Sequence, residues 1–478
     1  PYAVCGCWLA VCFARHAGAL DGELRKSSAV SVGDHKMNGI AAWAMAVGGM
    51  IGGGIYTLAG FILGVAGPLA WLSLALGSVI ALATVHSYLA LASTTSETGS
   101  RRDGLPVALL VHRGHPTAAG VLSWWLLFVY VLAMAVYAFT LGQYLGRALG
   151  FDPQTIAVVV TLAVGLIAIV NLFGIREPAG VQITAVVVEL LVLASLAVVG
   201  FLRWNPDNLV ANVPGPSLAG VLIGTAGTFI AFEGFEMLVY DVRELRCPRR
   251  VLRRALPAAI IAVALAYSLV TVGAASLVGA STLVEQKENA LAVAGEAAGG
   301  AFGLVVVTVA ACASAVSAIN ASLFSVARFA RSASETGLLP RVLGRPNARD
   351  CPHVAIAVLA VFTVVLASSA TLEPLVQAAS LSFLVLFAFI NGFALVARRR
   401  RSGIALFGVV SATLSALIVA YTLARSEPQA LVGFVGASLA SALAHGVHVL
   451  RRRRVPPGAG GPGAHETPRS RDPEVTWS

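Results

Sequence analysis

The chain has 478 residues, 57% of them hydrophobic and only 12% charged, with a mean hydropathy of +0.82. Apolar runs long enough to cross a bilayer, about 20 residues each, recur along its length, which excludes a set of soluble domains. The net charge of +10 does not indicate nucleic acid, because the basic residues cluster in the connections between apolar runs.

Residues 1–36 hold one short apolar run, Trp8–Phe13, too brief to span, and are read as a cytoplasmic arm outside the fold. About twelve apolar runs follow, near 38–65, 68–92, 117–146, 154–172, 178–202, 217–240, 257–280, 302–327, 353–372, 374–397, 403–423 and 428–449. The first contains G-G-M-I-G-G-G-I-Y, Gly48 to Tyr56. Three consecutive glycines, Gly52, Gly53 and Gly54, disfavour helix there by ~3 kcal/mol. Two readings are open: a broken helix whose bare peptide groups coordinate a ligand, or a small-residue seam between closely packed helices.

After the second run, Ser96 to Gly104 make a polar loop, and Leu105–His112 reads as an interfacial or re-entrant helix. The third run is aromatic, with Trp124, Trp125, Tyr130, Tyr137 and Phe139. The fifth carries Glu189 between Val188 and Leu190. A carboxylate there costs several kcal/mol unless protonated or paired, so it reads as a proton or cation site, or as an acid held by a structural partner. The sixth run reads T-F-I-A-F-E-G-F-E, Thr228 to Glu236, with Glu233 and Glu236 around Gly234. Glycine interruptions in the first and sixth runs fall at corresponding places in two successive five-helix halves. That correspondence predicts an inverted-repeat transporter with a mid-membrane site.

The eighth run holds Ser314, Ser317, Asn320 and Ser322, and the tenth Gln377, Ser380, Ser382 and Asn391; such residues bind neighbouring helices or line a path. The last two runs are plain apolar helices, and Val455–Ser478 is read as a disordered tail. With the N-terminus placed inside, only Arg147, Lys287, Arg203 and Arg425 of the 33 Lys and Arg fall outside, so both ends are expected in the cytoplasm. The six cysteines show no metal-binding spacing.

Taken together, these residues resemble the amino acid–polyamine–organocation superfamily of secondary transporters. The likeness rests on Gly49–Tyr56, Ser96-Glu97 with Gly104, Asn171 with Gly174, Ala231–Glu236, Pro248 with Pro257, Ser317–Ala321 with Arg328, and Gly337–Pro340. It implies an all-α polytopic membrane protein with a LeuT-type 5+5 inverted repeat and two additional C-terminal helices. The implied core is 37–400, with the added helices in 401–450 and a basic cytoplasmic tail over 451–478. The resemblance places an amino acid between Met50, Ile51, Gly52, Gly53 and Gly54 in the first break and Phe229, Ile230, Ala231, Phe232, Glu233 and Gly234 in the second. Amides of Ile51 to Gly54 would take the substrate carboxylate; carbonyls of Ile230, Ala231 and Glu233 would take its ammonium.

Three departures stand out. Ile230 occupies the family's aromatic gate position, with Phe229 and Phe232 beside it. Glu189 stands where several proton-coupled relatives carry a lysine. Ser314 and Ser317 are three apart, where sodium-dependent relatives have adjacent hydroxyls. The reading is a proton-coupled amino acid symporter of the plasma membrane, with Glu189, Glu233, Ser314 and Ser317 as candidate coupling residues for a proton or sodium. An uncoupled amino acid or polyamine exchanger, or a non-transporting sensor, is the alternative. No cofactor, no metal and no enzymatic activity are expected; the partners are the amino acid, the coupling ion and the bilayer.

Overall fold

A computed structural model describes residues 37–52, 54–95, 105–174, 179–240, 245, 248–397 and 403–454. The arm 1–36, Gly53, the polar loop 96–104, 175–178, 241–244, 246–247, 398–402 and the tail 455–478 lie outside the described residues. Apart from isolated bridge residues, Pro346 paired with Pro352 among them, the described residues are helix and loop.

In chain order the main helices are α1 Gly39–Ile51, α2 Gly54–Ala66, α3 Ala70–Thr95, α4 Leu105–His112, α5 Pro116–Leu149, α6 Pro153–Leu172, α7 Ala179–Leu202 and α8 Leu218–Gly227. Then come α9 Pro248–Val278, α10 Ala290–Glu335, α11 His353–Ser369, α12 Leu372–Ala397, α13 Gly403–Ser426 and α14 Pro428–Arg454. Local chemistry sets several of their starts. The Asn38 side chain accepts from Ala41 N at 2.8 Å and caps α1. Asp152 accepts from Gln154 N at 3.1 Å ahead of Pro153, a residue preorganised for a first helical turn. Ser217 caps α8 by accepting from Gly220 N at 3.0 Å.

Nine described stretches are long and apolar enough to cross a membrane, or ten counting one bent pair, against the twelve expected. The difference has two sources. Gly54–Ala92 counts as one stretch of 39 residues although a 3-10 turn at Gly67–Leu69 divides it, and His353–Ser369 has only 17 residues. The membrane part of α10 begins after Gly299 and Gly300, whose backbone angles are not helical.

α5 packs against α6, α10, α11 and α14, while α9 packs against α1, α3 and α7. Outward faces remain apolar: Leu166 in α6, Leu191 in α7, Leu265 in α9, Phe362 in α11 and Leu414 in α13 are all exposed. That is the pattern of helices whose outer surface meets lipid rather than water. Two of the small polar residues act as clamps. Asn391 on α12 accepts from Ser87 Oγ at 2.6 Å and donates to Thr84 Oγ1 at 3.0 Å, tying α12 to α3. Asn171 donates to Asn320 at 2.7 Å, tying α6 to α10. His445 of the last helix, a residue of a run read as plain, is buried with its ring against Gly120.

Candidate functional site

Both predicted interruptions exist, and they face each other. α1 ends at Ile51, where Gly52 takes the left-handed conformation (φ +31°) and its N–H closes onto Gly48 O at 3.3 Å. α2 begins at Gly54. On the other side, α8 ends at Gly227 and a 3-10 turn covers Phe229–Phe232. Glu233 is extended and Gly234 has φ +105° before a last turn, Met237–Tyr240. The two arms of this second interruption meet at 57°.

The breaks touch through glycine. A Cβ placed on Gly49 would lie 3.0 Å from Gly234 O, and one on Gly54 would lie 3.3 Å from Ala231 Cα. Side chains would hold the two backbones apart, so glycine here serves close approach as well as helix breaking. Met50, Ile51, Gly52, Gly54 and Phe229 to Gly234 are all buried.

Neighbouring helices hold both breaks open. Tyr267 Oη, on α9, donates to Met50 O at 2.8 Å, and Tyr144 Oη, on α5, donates to Tyr56 O at 2.7 Å. Ser380 on α12 bridges the second break, donating to Gly227 O at 2.9 Å and accepting from Ile230 N at 3.1 Å. Unwound backbone at this depth needs such partners. Replacing Ser380 by Ala leaves two buried backbone groups unpaired. The expected loss of stability is about 1–3 kcal/mol, read as lowered thermal stability in detergent; an unchanged melt would remove Ser380 from this role.

The acids join the same cluster. Glu233 accepts from Tyr137 Oη, and the Tyr137 ring would meet a Cβ on Gly52 at 3.0 Å, so this side chain bridges the two breaks. The second oxygen of Glu233, Oε1, is buried with no hydrogen-bond partner among the described residues. Glu236 accepts from Tyr130 Oη at 3.0 Å and from Gly234 N at 3.1 Å, so it braces the break from within. Glu189 is 4% exposed on α7, and one turn before it Val186 would meet a Cβ on Gly48 at 2.9 Å. Among the described residues, no Lys or Arg is buried with these three acids.

Ser314 is buried and its hydroxyl has no hydrogen-bond partner among the described residues; Ala318, one turn further along α10, would meet a Cβ on Gly52 at 2.9 Å. Ser317 is half-buried on the same helix. Phe229 packs edge-on to Phe387 at 5.7 Å, and Phe232 lies between Gly77 and Tyr267. Met50 to Gly52, Gly54 and Phe229 to Gly234 thus lie at the two breaks, while Glu189 on α7 and Ser314 and Ser317 on α10 belong to helices that pack against α1.

Backbone donors differ from the expectation. Ile51 lies inside α1, and the Gly52 N–H is taken by Gly48 O. Helix geometry leaves unpaired donors instead in the first turn of α2, from Gly54 onward. The Ile230 carbonyl likewise already accepts from Glu233 N at 3.0 Å.

A bundle of membrane-length helices built around two facing breaks is the architecture of a membrane transporter. The chain belongs to the amino acid permease family, whose model matches residues 37–441. It is 26% identical to the inner membrane transport protein YbaT of Escherichia coli, over 83% of this chain and 93% of that one. It is 27% identical to cationic amino acid transporter 4 of Mus musculus, over 75% of this chain but only 59% of that longer relative. Among solved structures, a manganese transporter of Eremococcus coleocola superposes with a TM-score of 0.55 at 11% identity, covering 87% of this chain and 94% of that one. That likeness, to a transporter of the LeuT-like fold, concerns fold alone.

Proposed function

We propose that this permease moves an amino acid across the plasma membrane by alternating access, in symport with protons. The observation that carries it is the face-to-face pair of buried breaks, joined by Tyr137 and Glu233. The first turn of α2 offers N–H donors and a positive dipole end to the substrate carboxylate. The free oxygen of Glu233, with carbonyls of the second break, faces its cationic end. Residues 37–400 form the transporting core, with two added helices in 401–450, and both 1–36 and 451–478 lie in the cytoplasm.

Proton coupling rests on the acids. Buried carboxyl groups beside such a site are the groups able to take up and release a coupled proton. Glu189 lies one turn along α7 from Val186, which packs against Gly48 just ahead of the first break. A charge change at Glu189 therefore falls close to the end of α1. Ser314 and Ser317 stand beside the break as hydroxyl ligands for a sodium alternative.

The test is uptake of labelled amino acids into proteoliposomes with and without a pH gradient. Glu189→Gln is expected to abolish gradient-driven accumulation and to leave exchange intact. Accumulation that ignores the pH gradient and follows sodium would reject proton coupling.

A further inference from the structure

A separate feature lies at the arginine-rich end of α9. Arg250 and Arg254 are four residues apart, so their side chains share one face of the helix. That face borders an open groove of about 380 Å³ between the starts of α9 and α1. Its walls are apolar, with Ile40 and Trp43 from α1 and Val251 and Ala258 from α9. Both arginines are exposed, and among the described residues neither has an ion-pair partner.

We infer that this groove binds one anionic phospholipid, its phosphate on Arg250 and Arg254 and an acyl chain along Ile40, Trp43, Val251 and Ala258. The charge pattern selects this occupant. A soluble anion would satisfy the guanidiniums and leave the apolar walls bare. An uncharged lipid or detergent would fill the walls and leave two unpaired cations at the rim. Only an amphipathic anion matches both, and the end of a membrane helix, beside a tryptophan, is the depth of a headgroup.

The position carries a consequence for transport. α1 is one half of the broken span, and α9 holds its far end through Tyr267 and Met50 O. A lipid seated between their starts fastens the same two helices at a second point. It therefore stabilises the conformation described here against movements that separate α1 from α9.

The test uses the full chain purified in neutral detergent, with lipid retention read by native mass spectrometry and stability read by melting. Phosphatidylglycerol, phosphatidylcholine of the same acyl chains, and glycerol phosphate are the probes. Phosphatidylglycerol alone is expected to be retained and to raise the melting temperature. Each guanidinium near an anionic headgroup is worth roughly fivefold in affinity, so Arg250→Gln with Arg254→Gln should weaken retention about 25-fold, and the corresponding Lys pair should keep most of it. Ala258→Trp fills the groove with both arginines in place; it too should lose the lipid, and it decides the matter if the Gln pair does not fold. Equal retention of the two lipids, retention unchanged in Ala258→Trp, or stabilisation by glycerol phosphate equal to that by phosphatidylglycerol would each overturn the inference.

Discussion

Gly234→Ala is expected to abolish transport. At φ +105° an L side chain is strained, at a cost of order 1–3 kcal/mol. The added methyl would also lie 2.6 Å from both the carbonyl carbon and oxygen of Gly49, which are backbone atoms and cannot swing aside. Overpacking of this kind costs a further 1–3 kcal/mol or so. Relief requires the two breaks to separate, and separation takes Tyr137 away from either Gly52 or Glu233. Uptake should therefore fall to background even where the protein still folds. Gly165→Ala on α6 is the control, since nothing lies within 4 Å of the added Cβ; helix propensity makes it neutral or stabilising by up to about 1 kcal/mol. Full activity in Gly234→Ala would mean that the breaks do not meet as described.

Signals carried by neighbouring residues are legible in the sequence, and those set by distant partners are not. Gly52 to Gly54 and Gly234 weaken helix wherever they stand, so both interruptions were readable. The residue at which α1 stops was not. Gly48 and Gly49 carry the same propensity penalty as Gly52, yet they remain helical because Gly49 is needed for close packing on Gly234. Propensity cannot separate a glycine that ends a helix from one that admits a neighbour. The tyrosines on α5 did leave a trace. Tyr130, Tyr137 and Tyr144 recur every seven residues, two helical turns less about 20°, and so form one stripe. Their hydroxyls reach Glu236, Glu233 and Tyr56 O respectively. Read as part of an aromatic run, the stripe was missed; read by period, it names the wall of the site. Ser380 stands out only as one of four small polar residues on its run, because its partners Gly227 and Ile230 are some 150 positions away in the chain. Glu236, one of the two acids around Gly234, folds back onto Gly234 N and braces the break.

Removing the charge of Glu233 should have the largest effect on substrate binding. A carboxylate and an ammonium about 4 Å apart attract by roughly 4 kcal/mol at the effective dielectric of protein interiors, from which desolvation subtracts. Glu233→Gln is accordingly expected to weaken binding about 10- to 100-fold, since 1.4 kcal/mol is tenfold. Tyr137→Phe tests the same site by another route. Its hydroxyl orients one carboxylate oxygen and leaves the other free, so its loss should weaken binding in part without removing the charge. A tyrosine that acts through Glu233 has nothing left to orient once the charge is gone. The double variant should then bind no worse than Glu233→Gln alone, so the coupling energy of the cycle should equal in size the smaller loss seen in Tyr137→Phe by itself. Additive losses in this cycle would place Tyr137 in direct contact with substrate. Unchanged affinity in Glu233→Gln would move the cationic end of the substrate elsewhere, onto the backbone carbonyls of the second break alone.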